Sequence, residues 1–183
     1  MNYGDTGLHR YRQRHEKILE EMGKLGKMYA KVGFSDNGDS SEDGVSIAQI
    51  AYWNRNGATS TNNILKKGKL WVLPPRPFLS QAVDNNEEQI KQTGEKLVQQ
   101  VQEGKLDAKT AMRRNAENMI NLIKSSIKNG QFAPNSEITI NGIEGFIRGK
   151  KSTKPLRDTG RMRNSVMYQI FEGDAKVEEG GKK

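Results

Sequence analysis

The chain of 183 residues contains no cysteine and only two histidines. The lack of thiols excludes disulfides and thiolate ligands, so cysteine usage says nothing about the redox compartment. His9 and His15 lie six residues apart in a predicted helix and point about 240° away from each other. Because no cysteine and no H-E-x-x-H motif is present, the sequence predicts no metal site and no other cofactor.

Apolar residues are also scarce, at 33% of the chain, and aromatic residues make up 7%. Globular chains usually contain about 45–50% apolar residues when glycine is counted, so we predict a modest core that assembly with further copies would complete. No apolar run approaches the roughly 20 residues of a membrane span, and the first fifteen residues lack the apolar stretch of a signal peptide. We therefore expect a protein that is made in a cytoplasm, stays in solution and has no membrane partner.

Charge, by contrast, is abundant and unevenly distributed. The net charge is +8, which permits contact with nucleic acid or with an acidic protein surface. The loop 35–44 carries four acidic residues and no basic one, whereas segment 148–163 has Asp158 as its only acid. The basic residues of that segment are Arg148, Lys150, Lys151, Lys154, Arg157, Arg161 and Arg163. Two interpretations stay open: two solvated loops, or complementary faces of neighbouring subunits.

Hydrophobic spacing predicts the main helices and strands. We expect helices at 7–27 and 45–57, strands at 28–34, 69–73 and 165–171, and a mobile loop at 58–68. Two long helices within 77–129, with Asp107 capping the second, predict an antiparallel hairpin. The spacing in 136–154 fits a strand and a helical turn equally well. The apolar face of the first helix is predicted to contain Leu8, Tyr11, His15, Ile18, Leu19, Met22 and Leu25.

Together these elements predict an α+β fold. We expect a small twisted, mostly antiparallel sheet of three or four strands, packed by helices, with the long hairpin and an extra N-terminal helix. The predicted organisation is an N-terminal helical arm at 1–27, an α+β domain at 28–173 and a polar, disordered tail at 174–183. Trp53 and Trp71 are predicted to pack in the core, because both lie in apolar contexts.

The stretch "LPPRPFL", residues 73–79, contains three of the five prolines. Since proline fixes φ and favours an extended residue before it, Pro74, Pro75 and Pro77 predict a stiff, extended strap. In one interpretation Arg76 offers its planar guanidinium to a neighbouring subunit, so that Arg76→Ala leaves the fold intact and weakens self-association. Phe78 then either anchors the strap on the core or fills a pocket of the adjacent subunit. In the other, the strap only connects a strand to a helix and Arg76 is solvated.

No set of catalytic residues is recognisable. Segment 142–152 superficially resembles a phosphate-binding loop, but Glu144 occupies the first glycine position and Lys151 the Ser/Thr position. The dinucleotide-binding G-x-G-x-x-G and the nucleophile G-x-S-x-G motifs are both absent from the sequence. We predict that the protein is not an enzyme.

Three stretches carry a resemblance to a known family: "IAQIAYWNRNGA", "LPPRPFLSQAV" and "KPLRDTGRMRNSVMYQI". In this order and spacing, from about Val32 to Ile170, the chain resembles the tail completion and head–tail joining proteins of tailed bacteriophages. The helix end departs from the pattern of that family, which reads asparagine, glutamate, aromatic, glycine. Here the corresponding residues are Asn54-Arg55-Asn56-Gly57.

The resemblance implies a structural virion protein of the neck or tail terminus, assembled in the host cytoplasm. Such proteins form rings, typically of six copies, between the head connector or adaptor and the tail tube or tail terminator, with genomic DNA passing through the ring. Candidate contacts with subunits or partners are Pro74, Pro75, Arg76, Pro77, Phe78, Lys154, Arg157, Asp158, Arg161 and Arg163. Candidate contacts with DNA or an acidic partner are Arg148, Lys150 and Lys151.

Three points stay open in this interpretation. Asp158 can act only as a cap of the turn that Gly160 permits, rather than as a contact residue. A small basic nucleic-acid-associated protein is an alternative function, with the basic segment on phosphates and Tyr168 or Phe171 stacked on bases. A tail-assembly scaffold that leaves before the particle matures is another.

Overall fold

A computed structural model describes residues 5–35, 44–60, 71–143, 147–149, 153–156 and 160–181. The fold is α+β, as predicted. The helices are α1 (Asp5–Leu25), α2 (Ile47–Asn56), α3 (Phe78–Asp84), α4 (Glu87–Gln102), α5 (Ala108–Asn129), α6 (Glu137–Asn141) and α7 (Arg161–Asn164). The strands are β1 (Met28–Gly33), β2 (Ala58–Ser60), β3 (Trp71–Leu73), β4 (Gly142–Ile143), β5 (Ile147–Arg148), β6 (Met167–Glu172) and β7 (Ala175–Gly180).

The main sheet has three strands in the order β1-β6-β7, and β6 pairs antiparallel with β7. The amide of Gly173 donates a hydrogen bond to the carbonyl of Lys27, and Tyr29 stacks on Phe171 with ring centroids 5.1 Å apart. These contacts join the start of β1 to the end of β6, so this pair is antiparallel as well. The prediction of a disordered tail at 174–183 is wrong for 175–180, because these residues form the edge strand β7.

The predicted long helix beyond Pro77 is interrupted. It divides into α3 and α4 at Asn85 and Asn86, where Asn86 leaves helical geometry at φ −132°. Asparagine favours caps and turns because its side chain competes for backbone hydrogen bonds. Two asparagines in succession therefore indicated a helix end, but the apolar residues on either side continue at helical spacing and predicted one helix. The helical hairpin therefore consists of α4 and α5, joined through residues 103–107.

The predicted loop at 58–68 is partly wrong. Residues 58–60 form β2, which pairs antiparallel with β3, and Ser60 lies opposite Trp71. Residues 61–70 lie outside the described part of the chain. The ambiguous region 136–154 contains α6 followed by the short antiparallel pair β4–β5.

The chain divides into two compact units that differ from the predicted domains. The first contains Met1–Val32, Asn86–Ile120 and Tyr168–Gly181, and the second contains Gly33–Asn85 and Asn121–Met167. The helix that was predicted as a separate arm thus belongs to the first unit, together with β7.

In the first unit, α1 packs on α4. Its small apolar core consists of Leu97, Val101 and Ala111, covered by Met22, Leu25 and Leu106. The Glu21 carboxylate accepts a hydrogen bond from the backbone amide of Ala108, with Oε2 and N 2.8 Å apart, and so caps the start of α5 from α1. Asp107 caps the same helix, as predicted, by accepting from the amide of Thr110 at 2.8 Å. Two carboxylates therefore satisfy amides that α5 itself leaves free.

The apolar face predicted for α1 is only partly buried. Leu8, Tyr11 and Leu19 remain 53%, 68% and 59% exposed, whereas Met22 and Leu25 contact the core. For Leu8 and Tyr11 the reason is the length of the neighbouring helix. The Arg14 guanidinium donates from Nη2 to the carbonyl of Glu103, 3.0 Å away, and Glu103 is the residue at which α4 ends.

In the second unit, Ser46 caps α2 by accepting from the amide of Gln49 at 3.1 Å, and Ile47 and Ala51 are buried. The core prediction is wrong for Trp53, which is 40% exposed at the C-terminal half of α2. The predicted end of this helix at Gly57 is confirmed, with φ 78° and ψ 166°. This backbone conformation is accessible almost only to glycine.

Candidate functional site

The strap between β3 and α3 is extended, and its side chains alternate between solvent and interior. Pro75 and Pro77 are exposed, whereas Arg76 is 3% exposed and Phe78 is fully buried. The strap ends in a tight turn centred on Pro77 (φ −77°, ψ 55°), in which the amide of Phe78 donates to the carbonyl of Arg76 at 2.7 Å. The prolines thus direct Arg76 and Phe78 to the same, inner face.

The guanidinium of Arg76 binds oxygen atoms from two other segments. Nη1 donates to Asn54 Oδ1 at 3.1 Å, Nη2 donates to Asn135 Oδ1 at 3.0 Å, and Nε donates to the carbonyl of Ala133 at 3.3 Å. The Arg76 backbone amide also donates to the carbonyl of Asn54 at 2.8 Å. We call Asn54, Arg76, Ala133 and Asn135 the Arg76 node.

The Arg76 node holds a positive charge without a described counterion. The three atoms that accept hydrogen bonds from the guanidinium are all neutral oxygens. Burial lowers the pKa of Arg76, because desolvation penalises the cation. The guanidinium nevertheless remains protonated, since its pKa starts far above neutrality. Such a group cannot exchange protons at physiological pH, so the chemistry available to the node is rigid hydrogen bonding.

The prediction that Arg76 presents its guanidinium to a neighbouring subunit is therefore wrong. All three hydrogen-bonding nitrogen atoms of its fork are directed to acceptors of its own chain, and the solvated alternative is wrong as well. Of the two roles proposed for Phe78, the structure supports the anchor on the core. Its ring contacts that of Phe34 edge to face, with centroids 5.9 Å apart and an interplanar angle of 89°. Of the strap residues, Arg76 and Phe78 are closed to a partner, whereas Leu73, Pro74, Pro75, Pro77 and Leu79 keep some exposed surface.

The segments that carried the family resemblance meet at this node. Asn54 lies in α2 and Arg76 in the strap, and Asn135 also donates from Nδ2 to the carbonyl of Lys154 at 3.2 Å. In addition, α2 packs on α7, which lies within the third of these segments. The Arg76 node thus links stretches that are separated by up to about a hundred residues of sequence.

The other predicted contact residues are dispersed. Lys154 and Arg161 are exposed, and Arg163, half-buried, donates from Nε to Asn164 Oδ1 at 3.4 Å. Arg148 lies in β5. Arg157, Asp158, Lys150 and Lys151 lie outside the described residues, as do residues 36–43 of the acidic loop. Gly160, which was expected to permit a turn, adopts the left-handed conformation at φ 76°, and α7 begins at the next residue.

The aromatic residues that were considered for base stacking are engaged elsewhere. Tyr168 is 5% exposed and donates from its hydroxyl to Glu178 Oε1 at 2.9 Å. Burial, followed by this hydrogen bond, raises the pKa of Tyr168 to about 12. Lys109 contacts the other carboxylate oxygen of Glu178 at 3.3 Å. Phe171 stacks on Tyr29, and Lys31 Nζ lies 5.0 Å from the centroid of the Phe171 ring. Base stacking by Tyr168 would require its removal from the sheet.

Metal and membrane sites were also considered. The described residues contain no group of three or more histidine or acidic side chains arranged to hold a metal ion. In the same part of the chain, no helix is both long enough and apolar enough to cross a membrane.

No protein-family model, curated protein or solved structure matches this chain. A function for this chain therefore rests on its own residues and on the family resemblance of its three segments.

Sequence reasoning missed Asn54, Ala133 and Asn135 as partners of Arg76. One signal for the burial of Arg76 was present, because side chains two residues apart in an extended segment share a face. Phe78 is apolar, so its inward orientation implied that Arg76 also points inward. Nothing in the sequence indicated which residues accept hydrogen bonds from Arg76, because these acceptors lie 22 and 57–59 residues away along the chain.

Proposed function

We propose that this chain is a structural virion protein of a tailed bacteriophage. In this proposal several copies, six in the simplest arrangement, form a ring at the head–tail interface or the tail terminus and join the tail to the head connector. The protein acts by contact alone and carries out no turnover. The observation that carries the proposal is the convergence of the three family-like segments on the Arg76 node.

The Arg76 node supports a mechanical role because it immobilises irregular backbone. A ring in the path of a packaged genome must hold its loops in one geometry, and preordering reduces the entropy lost when subunits dock. Here the strap and the segment around Ala133 have few backbone partners in sheets or helices. The guanidinium supplies fixed hydrogen bonds to both regions instead.

The charge of the second unit supports a position near DNA. Asp84 and Glu137 are the only acidic residues among its described residues, whereas Arg55, Lys154 and Arg161 are exposed and basic. Basic side chains near a ring lumen attract a passing phosphate backbone without reading its sequence. The same property favours nucleic-acid binding as the alternative function, so the two must be separated by experiment.

The decisive experiment examines the full-length protein and the particle that contains it. Native mass spectrometry and electron microscopy of the purified chain should show closed rings, and labelling should place the protein at the neck or tail end of mature particles. Disrupting its gene should leave unjoined heads and tails. A monodisperse monomer that is absent from particles would contradict the proposal.

A salt series distinguishes the alternative. If nucleic-acid binding is the main function, DNA affinity should be submicromolar at low salt and fall steeply as salt is added. Charge reversal of both Arg161 and Arg163 should then abolish binding, and reversal of Lys91 and Lys96, two exposed lysines on α4, is the control of equal charge change. In the ring proposal these variants still assemble, and DNA affinity is weak in every protein.

A further inference from the structure

The N-terminal half of α1 lies outside the packed part of its unit. All residues from 7 to 17 are exposed. The neighbouring helix α4 ends at Glu103, whose carbonyl accepts a hydrogen bond from Arg14. Residues 5–13 therefore extend past the end of α4 by about 13 Å at the helical rise of 1.5 Å per residue. We call these residues, about two and a half turns of helix, the α1 extension.

This half of α1 carries an excess of positive charge. Residues 7–17 contain four basic side chains and one acidic side chain, Glu16. The basic residues are Arg10, Arg12, Arg14 and Lys17. In the C-terminal half, by contrast, Lys24 is neutralised within its own helix, since its Nζ lies 2.8 Å from Glu20 Oε1 and 3.0 Å from Glu21 Oε1. The excess charge of the N-terminal half is therefore presented to the surroundings of the chain.

The spacing of these basic residues makes them repel one another. Arg10 and Arg14 lie four residues apart, and Arg14 and Lys17 lie three residues apart, so each pair is adjacent on the helix surface. Like charges at these spacings destabilise a helix. A ligand that carries a row of negative charges reduces this repulsion when it binds. The N-terminal half of α1 is therefore suited to a polyanion.

The basic residues also project from opposite sides of the helix. At 100° per residue, Arg10 and Arg12 point about 160° apart around the helix axis, and Lys17 points within about 20° of Arg10. A flat anionic surface such as a bilayer meets only one side of a helix that lies on it. The major groove of duplex DNA has phosphates along both edges, and its width of about 12 Å admits an α-helix. Positive charge on both sides thus favours the groove over the flat surface.

The exposed apolar side chains of the α1 extension are compatible with this groove. Leu8 is 53% exposed and Tyr11 is 68% exposed. On the helix surface both lie on the arc between Arg12 and Arg14, so they are directed away from the phosphates when the arginines face the edges of the groove. The floor of the groove offers apolar contacts, among them the methyl groups of thymine.

We propose that the α1 extension binds duplex DNA by entering the major groove, with Arg10 and Arg12 on phosphates at opposite edges. Arg14 and Lys17 lie at the base of the extension and add to the local positive charge. Contacts to phosphates carry no sequence information, so we expect a weak, sequence-independent Kd of roughly 1–100 µM at physiological salt. This inference goes beyond the proposed function, because a DNA contact through α1 requires no ring.

Two double variants test which residues make the contact. Arg10→Gln with Arg12→Gln removes both charges of the extension, and Lys91→Gln with Lys96→Gln on α4 is the matched control, since both lysines are exposed. Fluorescence anisotropy with a labelled random-sequence duplex measures affinity over a salt series. The arginine variant should bind about tenfold or more weakly than the wild type, and the control should stay within about twofold.

The salt series adds a second measurement. Each phosphate contact contributes about 0.9 to the slope of log affinity against log salt, so the slope of the arginine variant should be shallower by about 1.8. Circular dichroism and thermal unfolding check that all three proteins are folded. Equal losses of affinity in the two double variants would show that net charge alone decides, and would overturn the inference. An arginine variant that binds like the wild type would overturn it as well.

Duplex RNA tests entry into the groove. It carries the same phosphates, but its major groove is too narrow for protein side chains to read, so duplex DNA should bind several-fold more tightly than duplex RNA of the same sequence. Equal binding of the two would overturn the groove contact. Vesicles of phosphatidylcholine and phosphatidylserine test a membrane surface in its place. Tighter binding to these vesicles than to duplex DNA would overturn the inference too.

The outcomes separate this inference from the proposed function. Rings of the arginine variant, seen by electron microscopy with its DNA affinity intact, would overturn the α1 contact and leave a ring-forming virion protein in place. A wild-type chain that binds duplex DNA through Arg10 and Arg12, but stays monomeric and is missing from particles, would support the α1 contact and contradict the proposed function.

Discussion

The strap and the N-terminal half of α1 are opposite cases of how burial relates to residue type. In the strap an arginine is 3% exposed, whereas on α1 a tyrosine and a leucine of an apolar face are more than half exposed. In each case the neighbouring elements determine whether the side chain is buried. Arg76 enters a region where two other segments supply neutral oxygens, and Tyr11 lies on a helix that extends past the end of its neighbour. Residue type sets the cost of burial, but the length of adjacent elements determines which side chains are covered.

The largest expected effect is at the Arg76 node. Arg76→Ala should lower the free energy of unfolding by about 3 kcal/mol, because Asn54, Ala133 and Asn135 lose their donor together. Urea denaturation measures it, with Arg55→Ala, an exposed arginine on α2, expected to stay within about 0.5 kcal/mol. If Arg76→Ala kept full stability and lost only self-association, the inward-facing arginine would be disproved and the original interface prediction restored.

The second-largest loss of stability is expected from a change in the backbone beside the same node. Gly57→Ala should cost about 2 kcal/mol, since a side chain is strained at φ 78° and ψ 166°. Its Cβ would also lie 2.8 Å from the carbonyl oxygen of Leu73. Gly94→Ala is the matched control, because that glycine lies inside α4 with open space around it. Thermal unfolding should show Gly94→Ala more stable by about 0.5–1 kcal/mol, and equal losses in both variants would refute the argument.

A smaller loss of stability is expected in the C-terminal half of α1, which is held to α5 through Glu21. Chiefly the amide of Ala108, and then Lys24, holds the pKa of Glu21 below its usual 4.5. Because the folded-state pKa is depressed, this stabilisation is present above pH 4.5 and is lost as pH falls through the folded-state value. Glu21→Gln should cost about 1 kcal/mol at pH 7, and its deficit should shrink towards zero in acid.

Unfolding curves at several pH values check this prediction. Glu16→Gln removes an exposed carboxylate from the same helix and should leave stability unchanged at every pH. A Glu21→Gln deficit that stayed constant from pH 7 to pH 3 would indicate lost packing rather than lost charge.

The smallest effect on the stability of the monomer is expected at the exposed side chains in the N-terminal half of α1. Leu8→Ala and Tyr11→Ala should each change the free energy of unfolding by less than about 0.5 kcal/mol at concentrations too low for self-association. Met22→Ala on the same helix face should cost roughly 1–2 kcal/mol, because Met22 covers the core of Leu97 and Val101. Comparable losses at Tyr11 and Met22 would mean that the first half of α1 is packed within its own chain.

Local signals predicted much of this fold from the sequence. Apolar spacing located α1, α2 and α5, the Asp107 cap and the Gly57 stop followed from local rules, and the α+β class was confirmed. The failures lie where partners are distant in sequence. Strand β2 depends on pairing with β3, β7 depends on pairing with β6, and a polar tail gives no alternation that would indicate a strand.

The candidate site was predicted in part. The extended course of the strap followed from proline geometry, whereas the sequence left two roles open for Phe78, of which the structure supports the anchor on the core. The predicted direction of the Arg76 side chain was wrong. Arg76 was assigned to the surface because it is charged, although its position two residues before Phe78 in extended backbone places both side chains on the same face. The alternation of side chains in extended backbone was the stronger rule at this position.

The pairing of Ser60 with Trp71 has a consequence for how this protein can diverge. The segment between them starts and finishes at neighbouring points, whatever its length, and the entropic cost of closing a chain segment grows only with the logarithm of its length. Insertions between these two residues are thus an inexpensive route to new specificity, and a peptide tag introduced there would mark the protein for imaging while Arg76 keeps its place.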